Sequence, residues 1–294
     1  MATRAMPSGA GRGRRIDWSQ PGIYVVLAAV FVAMAYPFFY VLSLAVMPYQ
    51  NYVSQPIHAW PSGFTLDYFR EVLRDPRLSQ SFQISILKTL VGTVLNVVAT
   101  AMAGYALSRP GLRFGGVLTF LFLVPLFVTG GLIPYYLVIR ATGLLDTFWA
   151  LVLPTLVAPF YLFIVRTYFR SYPPEVIEAA TVDGAGPFRI FWQIVWPTST
   201  PILATMAMLY GTAHWNEYYW PSVLVKADLY PATVVLQNIA SSRSVLQGLG
   251  VGTQMTPQSF IAAVAAILVV PMLVAYPFVQ RYIVKGILLG SVKG

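Results

Sequence analysis

The sequence predicts an all-α protein that crosses a membrane with about six transmembrane helices. Three observations carry this. Of the 294 residues, 57% are hydrophobic, only 10% are charged, and the mean hydropathy is +0.67; a soluble domain carries about 25% charged residues. The apolar residues collect in six runs, at roughly 22–47, 83–107, 115–139, 148–169, 198–220 and 259–283, each long enough to cross about 30 Å of hydrocarbon as a helix. None shows the ten-residue alternation of a barrel strand.

The first run follows a basic tail, 1–21, that holds Arg4, Arg12, Arg14 and Arg15. It exceeds the apolar core of about 7 to 15 residues found in cleaved signals and ends at Met47, Pro48 and Tyr49, so it reads as an uncleaved span. The segment 48–82 contains four prolines, and Thr65 is placed to cap a short helix with Leu66, Phe69, Val72 and Leu73 on one face. The second run carries Lys88 near its start and Asn96 deeper. Its Ala99, Ala103 and Gly104 suit close helix contact. Pro125 and Pro134 in the third run, and Pro154 and Pro159 in the fourth, predict kinks that neighbouring helices must compensate. The fifth run ends in His214, Trp215, Asn216, Glu217, Tyr218, Tyr219 and Trp220, and a segment 221–258 rich in Ser, Gly and Gln leads to the sixth. A tail, 284–294, closes the chain.

Orientation follows from the basic residues. With both termini cytoplasmic, Arg109, Arg113, Arg166, Arg170, Arg189, Arg281, Lys285 and Lys293 join the N-terminal arginines inside, about twice the number left outside. The net charge of +9 is thereby assigned to cytoplasmic flanks rather than to nucleic acid. There are no cysteines, and the two histidines, His58 and His214, are too far apart in sequence to suggest a metal set. No phosphate-binding loop of the G-x-x-x-x-G-K-[ST] type occurs, so any ATP that drives this chain must be bound elsewhere.

The loop 170–197, between the fourth and fifth spans, has its own internal logic. Pro173 and Pro174 open a helix, Glu175 and Glu178 lie near its positive end, and Gly184 and Gly186 can take the left-handed conformation that ends it. Pro187 starts a second short helix through about Ile194, which Pro197 closes. Ala179 and Ala180 give the first helix a smooth side, suited to a groove in a partner protein. An amphipathic helix resting on headgroups would need a basic polar face that is missing here.

Glu178, Ala179, Ala180, then Gly184 after three residues, Ile194 after nine more, and Pro197 resemble the EAA loop of permease subunits of binding-protein-dependent ABC importers. Trp196 departs from the leucine usual at its position. Phe64, Thr65, Leu66, Asp67 and Tyr68 resemble the first external segment of the carbohydrate branch that includes maltose permeases. Gly130, Gly131, Leu132, Ile133 and Pro134, with His214, Trp215 and Asn216, resemble its oligosaccharide sub-branch, alginate importers foremost.

The resemblance implies an inner-membrane permease for oligosaccharide that pairs with a second homologous permease chain, the heterodimer being expected. It implies two ATPase subunits, which hold ATP and Mg, docked on Glu178, Ala179, Ala180, Asp183, Gly184, Ile194 and Pro197. It implies a solute-binding protein touching an external loop at Ser244, Gly248, Gly250 and Gly252. No cofactor and no catalytic residue are expected on this chain.

Ionisable groups inside a bilayer commonly line a pathway. His214, Trp215, Asn216, Glu217, Tyr218 and Tyr219, with Lys88 and Asn96, are therefore the expected substrate path, aromatic faces stacking on sugars and polar groups meeting hydroxyls. Lys88 either pairs with Glu217 or snorkels to the surface. An interfacial aromatic belt is the plainer reading of Tyr219 and Trp220. Two other classes compete: a secondary transporter, which would show inverted repeats and more buried charge, and an intramembrane hydrolase, which would need a nucleophile beside a base. Copurification of an ATPase and a second permease separates the first reading from both, and a permease of the same family for another sugar remains a further alternative.

Overall fold

A computed structural model describes residues 19–54, 60–241 and 257–291, and helix is the only regular structure among them. The helices are α1 (Ser19–Val46), α2 (Tyr49–Ser54), α3 (Asp67–Arg74), α4 (Pro76–Ser108), α5 (Gly115–Phe127), α6 (Leu132–Ala141) and α7 (Pro159–Arg170). They continue with α8 (Pro174–Val182), α9 (Pro187–Ile190), α10 (Trp196–Thr198), α11 (Thr200–Asn216), α12 (Tyr219–Leu224), α13 (Ala232–Ser241) and α14 (Pro257–Ser291).

Among the described residues, two helices are individually long and apolar enough to cross a membrane, over Gly22–Val46 and Pro76–Ser108. In α1 the apolar side chains from Ile23 to Leu42 are mostly exposed. An exposed apolar surface of this length is stable only against lipid or another apolar chain. The fourth run is not one helix. Its first half is two 3-10 turns, Phe148–Leu151 and Leu153–Thr155, and α7 departs from them at 48°; only taken together are the two halves long and apolar enough to cross a membrane. The break falls between Pro154 and Pro159, as expected for rings that cannot donate and that disfavour helix in the residue before them. The third run is also split, into α5 and α6. There the joint is not at a proline but at 128–131, where Gly131 takes φ +80°. The fifth run ends its helix early, at Asn216.

The centre is built on α4. Asp75 caps it, its carboxylate accepting the Arg77 N–H at 2.7 Å, and Pro76 fills the first turn. At 33 residues it is about 50 Å long, more than the hydrocarbon requires. α11 and α7 pack on its flanks, and α14 packs against α1 and α11. Gly104 permits the closest approach to α7: a Cβ there would stand 2.8 Å from Val165. Beside this contact, at the C-terminal end of α4, Arg166 donates to the Leu107 carbonyl at 3.0 Å, satisfying one of the acceptors that every helix C-terminus leaves open.

The short helix after the first span forms with a different face from the expected one. Thr65 accepts the Asp67 N–H at 3.2 Å, but Tyr68 and Val72 are the buried pair, Phe69 is half-buried, and Leu66 and Leu73 are exposed. Helix α3 starts at Asp67 with Leu66 as its cap residue, one residue later than a cap at Thr65 would give, and its inward stripe is the i, i+4 pair Tyr68 and Val72. Across the chain, Lys226 and Asp146 pair at 2.9 Å, and that hydrogen-bonded carboxylate raises the pKa of the lysine.

Candidate functional site

The loop between α7 and α11 forms the expected helix, glycine turn, helix. Pro174 opens α8, and Gly184 ends it with φ +78°. Gly186 does not share that role: its φ is −71°, the extended conformation suited to the residue before Pro187. The chain after Pro187 is also not closed by Pro197. It runs on through a π turn, Phe191–Val195, into α10, where Pro197 occupies the first turn. The wider turn removes the clash that a proline ring has with the carbonyl four residues earlier.

The two alanines point in different directions. Ala180 is buried and packs in a cluster with Ile190, Phe191 and Val195, so it seats α8 on its own chain. Glu178, Ala179, Asp183 and Gly184 are exposed. Val182 is 88% exposed and Phe188 68%, which leaves an apolar face open at the tip of the loop. Ile194 is half-buried behind it, and Phe188, Phe191, Trp192 and Trp196 form a chain of ring contacts along the second arm.

A second polar set lies between α4 and α11. Lys88, Gly92 and Asn96 recur at the helical period on one side of α4. Leu203, Met206, Tyr210 and His214 form the buried stripe of α11. Lys88 Nζ, Thr89 Oγ1, Thr93 Oγ1, Asn96 Oδ1 and His214 Nε2 are all buried without a hydrogen-bond partner. Such orphans are uncommon, because each carries a desolvation cost of about 1–3 kcal/mol. The histidine ring lies directly over Gly92, where a Cβ would come within 2.5 Å of Nε2. Nearer the loop, Thr100 and Tyr210 hydroxyls share a hydrogen bond of 2.7 Å, and Tyr210 accepts the Ala158 N–H at 3.0 Å.

The expected substrate-path residues divide. Lys88, Asn96 and His214 come together in this seam. Trp215 turns away from it and donates its indole N–H to the Leu268 carbonyl of α14 at 3.0 Å, a packing anchor. Asn96 donates to the Thr155 carbonyl at 3.0 Å, holding the bend of the broken span. Asn216, Tyr218 and Tyr219 are exposed, and Asn216 bonds back to the Thr212 carbonyl of its own helix. Lys88 neither pairs with Glu217 nor snorkels: it is 1% exposed, and no carboxylate lies within 4 Å of it among the described residues. Glu217 lies past the end of α11 in extended backbone, its carboxylate 3.5 Å from the Trp220 N–H. Ser244, Gly248, Gly250 and Gly252, like His58, lie outside the described residues. Sequence reasoning passed over Gly92, Thr89 and Thr93. Their signal was small and polar residues at four-residue spacing in an apolar run.

Long apolar helices, a bent helix pair held by a side-chain hydrogen bond, and a protruding helix–turn–helix loop define a polytopic helical membrane protein. The chain belongs to the family described as the binding-protein-dependent transport system inner membrane component, whose model matches residues 96–289. It is 33% identical over 288 residues to the polygalacturonan/rhamnogalacturonan transport system permease protein YtcP of Bacillus subtilis (strain 168), covering 96% of this chain and 100% of that one. It is also 33% identical to the protein LplC of the same organism, over 88% of this chain and 89% of that one. Among solved structures, a chain of a bacterial ABC transporter involved in import of the acidic polysaccharide alginate superposes with a TM-score of 0.84 at 26% identity, over 94% of this chain and 99% of that chain.

Proposed function

We propose that this chain is one of two membrane-embedded permease chains of an ATP-driven importer for an acidic oligosaccharide. The observation that carries the reading is the α8–Gly184–α9 loop. Ala180 anchors it to the body of the chain, while Glu178, Ala179, Val182 and Phe188 face outward for a partner. The proposed partner is an ATPase subunit, one of two, holding ATP and Mg. The loop and both termini are placed on the cytoplasmic side.

Closure of the ATPases pushes on α8, and the aromatic second arm carries that displacement into α11. A change of nucleotide state moves the helices only if the two conformations differ in contacts or strain. The unsatisfied seam supplies such a difference, because sliding α11 along α4 changes which of its orphan groups can meet water or each other. A second, homologous permease covers the exposed Asn216, Tyr218 and Tyr219, and the sugar passes between the two chains with Glu217 beside the path. The acidic character of the cargo is supported by the similar proteins, since polygalacturonan and alginate are both polymers of sugar acids.

The test is the assembled complex in vesicles, with its binding protein loaded by oligogalacturonate, by alginate oligosaccharide or by a neutral malto-oligosaccharide. Acidic cargo is expected to stimulate ATP hydrolysis and to be taken up. Stimulation by the neutral sugar alone overturns the acidic assignment, and a chain that purifies without ATPase or second permease overturns the importer reading.

A further inference from the structure

Where α4 meets the coupling loop, a cavity of about 460 Å³ opens between the end of the helix, the turn 110–112 and the start of the loop's second arm. Tyr105, Arg109 and Leu112 form one wall, and Phe188 and Phe191 form the other. The guanidinium of Arg109 lies 4.2 Å from the centre of the Tyr105 ring. Its Nε and Nη2 are buried and have no hydrogen-bond partner, and no carboxylate lies within 4 Å among the described residues. A partly buried guanidinium without a counter-charge is unfavourable, and its planar fork best matches a carboxylate or phosphate held by two parallel bonds.

The surroundings choose between anions. No residue of α8 lines the cavity, so the exposed Glu178–Val182 side of the loop is not its mouth. Met102, 40% exposed, lines it, and Phe114 and Val117 follow on the strongly exposed apolar surface that begins α5. An occupant must place negative oxygen at Arg109 and apolar chain along that surface.

We infer that this cavity holds the phosphate of an anionic phospholipid, with Arg109 as its counter-charge and the acyl chains lying over Met102, Leu112 and Phe114. The inference rests on the proposed cytoplasmic placement of the loop, which sets the turn 110–112 at headgroup level. Basic pockets between helices on that side are suited to such headgroups. Because Phe188 and Phe191 belong to the coupling loop, the lipid braces that loop against the end of α4.

The experiment places the assembled complex in phosphatidylcholine nanodiscs with a minor fraction of phosphatidylglycerol, and counts retained phosphatidylglycerol by native mass spectrometry. Wild type is expected to retain it, Arg109→Gln to bind it roughly tenfold more weakly or worse, and Arg109→Lys to keep part of the binding. Met102→Trp, which fills the cavity and leaves Arg109 in place, is expected to lose it too. Inorganic phosphate is not expected to compete, for want of the chains. Equal retention in wild type, Arg109→Gln and Met102→Trp overturns the site, as does displacement by inorganic phosphate. Loss of the ATPase subunits from Arg109→Gln with lipid retention unchanged assigns Arg109 to a partner carboxylate and also overturns it. A wild-type complex that assembles and transports but retains no phosphatidylglycerol sinks the lipid site and leaves the importer reading standing.

Discussion

Gly92 is the position where a single methyl group tests the packing of α4 on α11. In Gly92→Ala the new Cβ would meet His214 Nε2 at 2.5 Å, and Cδ2 and Cε1 at 2.8 Å. Ordinary carbon contacts begin near 3.5 Å, so the imidazole or the helix must retreat by about 1 Å. His214 is buried on the inward stripe of α11, which leaves the ring little room to swing. Overpacking of this kind costs about 1–3 kcal/mol, and the gain in helix propensity from glycine to alanine returns about 1 kcal/mol. The net expectation is a loss of up to about 2 kcal/mol, read as a fall of up to a few degrees in the thermal midpoint of the purified complex.

The companion is His214→Ala. It removes a ring that packs on Gly92 but also an orphan nitrogen, so it should cost less than an ordinary core truncation. In the double variant the Cβ at position 92 enters the space that the ring vacated, and the penalty of Gly92→Ala should vanish or reverse. A Gly92→Ala effect that is the same with and without His214→Ala refutes the contact.

Gly184→Val forces a β-branched residue into φ +78° at the end of α8 and is expected to lower substrate-stimulated ATP hydrolysis while leaving assembly intact; unchanged stimulation refutes a role for that turn. Tyr210→Phe strands the Thr100 hydroxyl and the Ala158 N–H together, so a stability loss of about 2 kcal/mol or more is expected in denaturation of the complex. Thr100→Val alone should cost less, because the Ala158 bond survives. Trp215→Phe keeps most of the packing but loses the indole bond to Leu268, and should cost about 1 kcal/mol without lowering uptake at permissive temperature. A selective loss of uptake would instead put Trp215 in the path.

The helical class, the kinks at Pro154 and Pro159, and the glycine turn at Gly184 were legible because each rests on local chemistry: apolar length, a missing N–H, a positive φ. Trp215 was not, since its partner carbonyl is 53 residues away on α14 and leaves no local trace. The end of α11 was hidden for a similar reason. Glu217 carries no helix-breaking signal of its own, and the extended backbone there is fixed by Thr233, whose hydroxyl donates to the Glu217 carbonyl at 3.0 Å. Reading His214–Trp220 as one cluster at the end of the fifth span therefore joined residues that the fold separates. Ala179 and Ala180 were correctly placed on the loop, but which of two adjacent methyls faces inward depends on the cluster around Ile190 and Phe191.

The π turn at Phe191–Val195 is a matter of arithmetic as much as of shape. A turn of this kind absorbs one residue more than a regular α turn. Each residue rotates a helix by about 100°, so removing one from this stretch would turn everything beyond it by that angle. Tyr210 would swing away from Thr100, and His214 away from Gly92. The number of residues between Gly184 and Pro197 thus acts as a clock setting for α11, and an insertion or deletion there misaligns a helix whose own sequence is untouched.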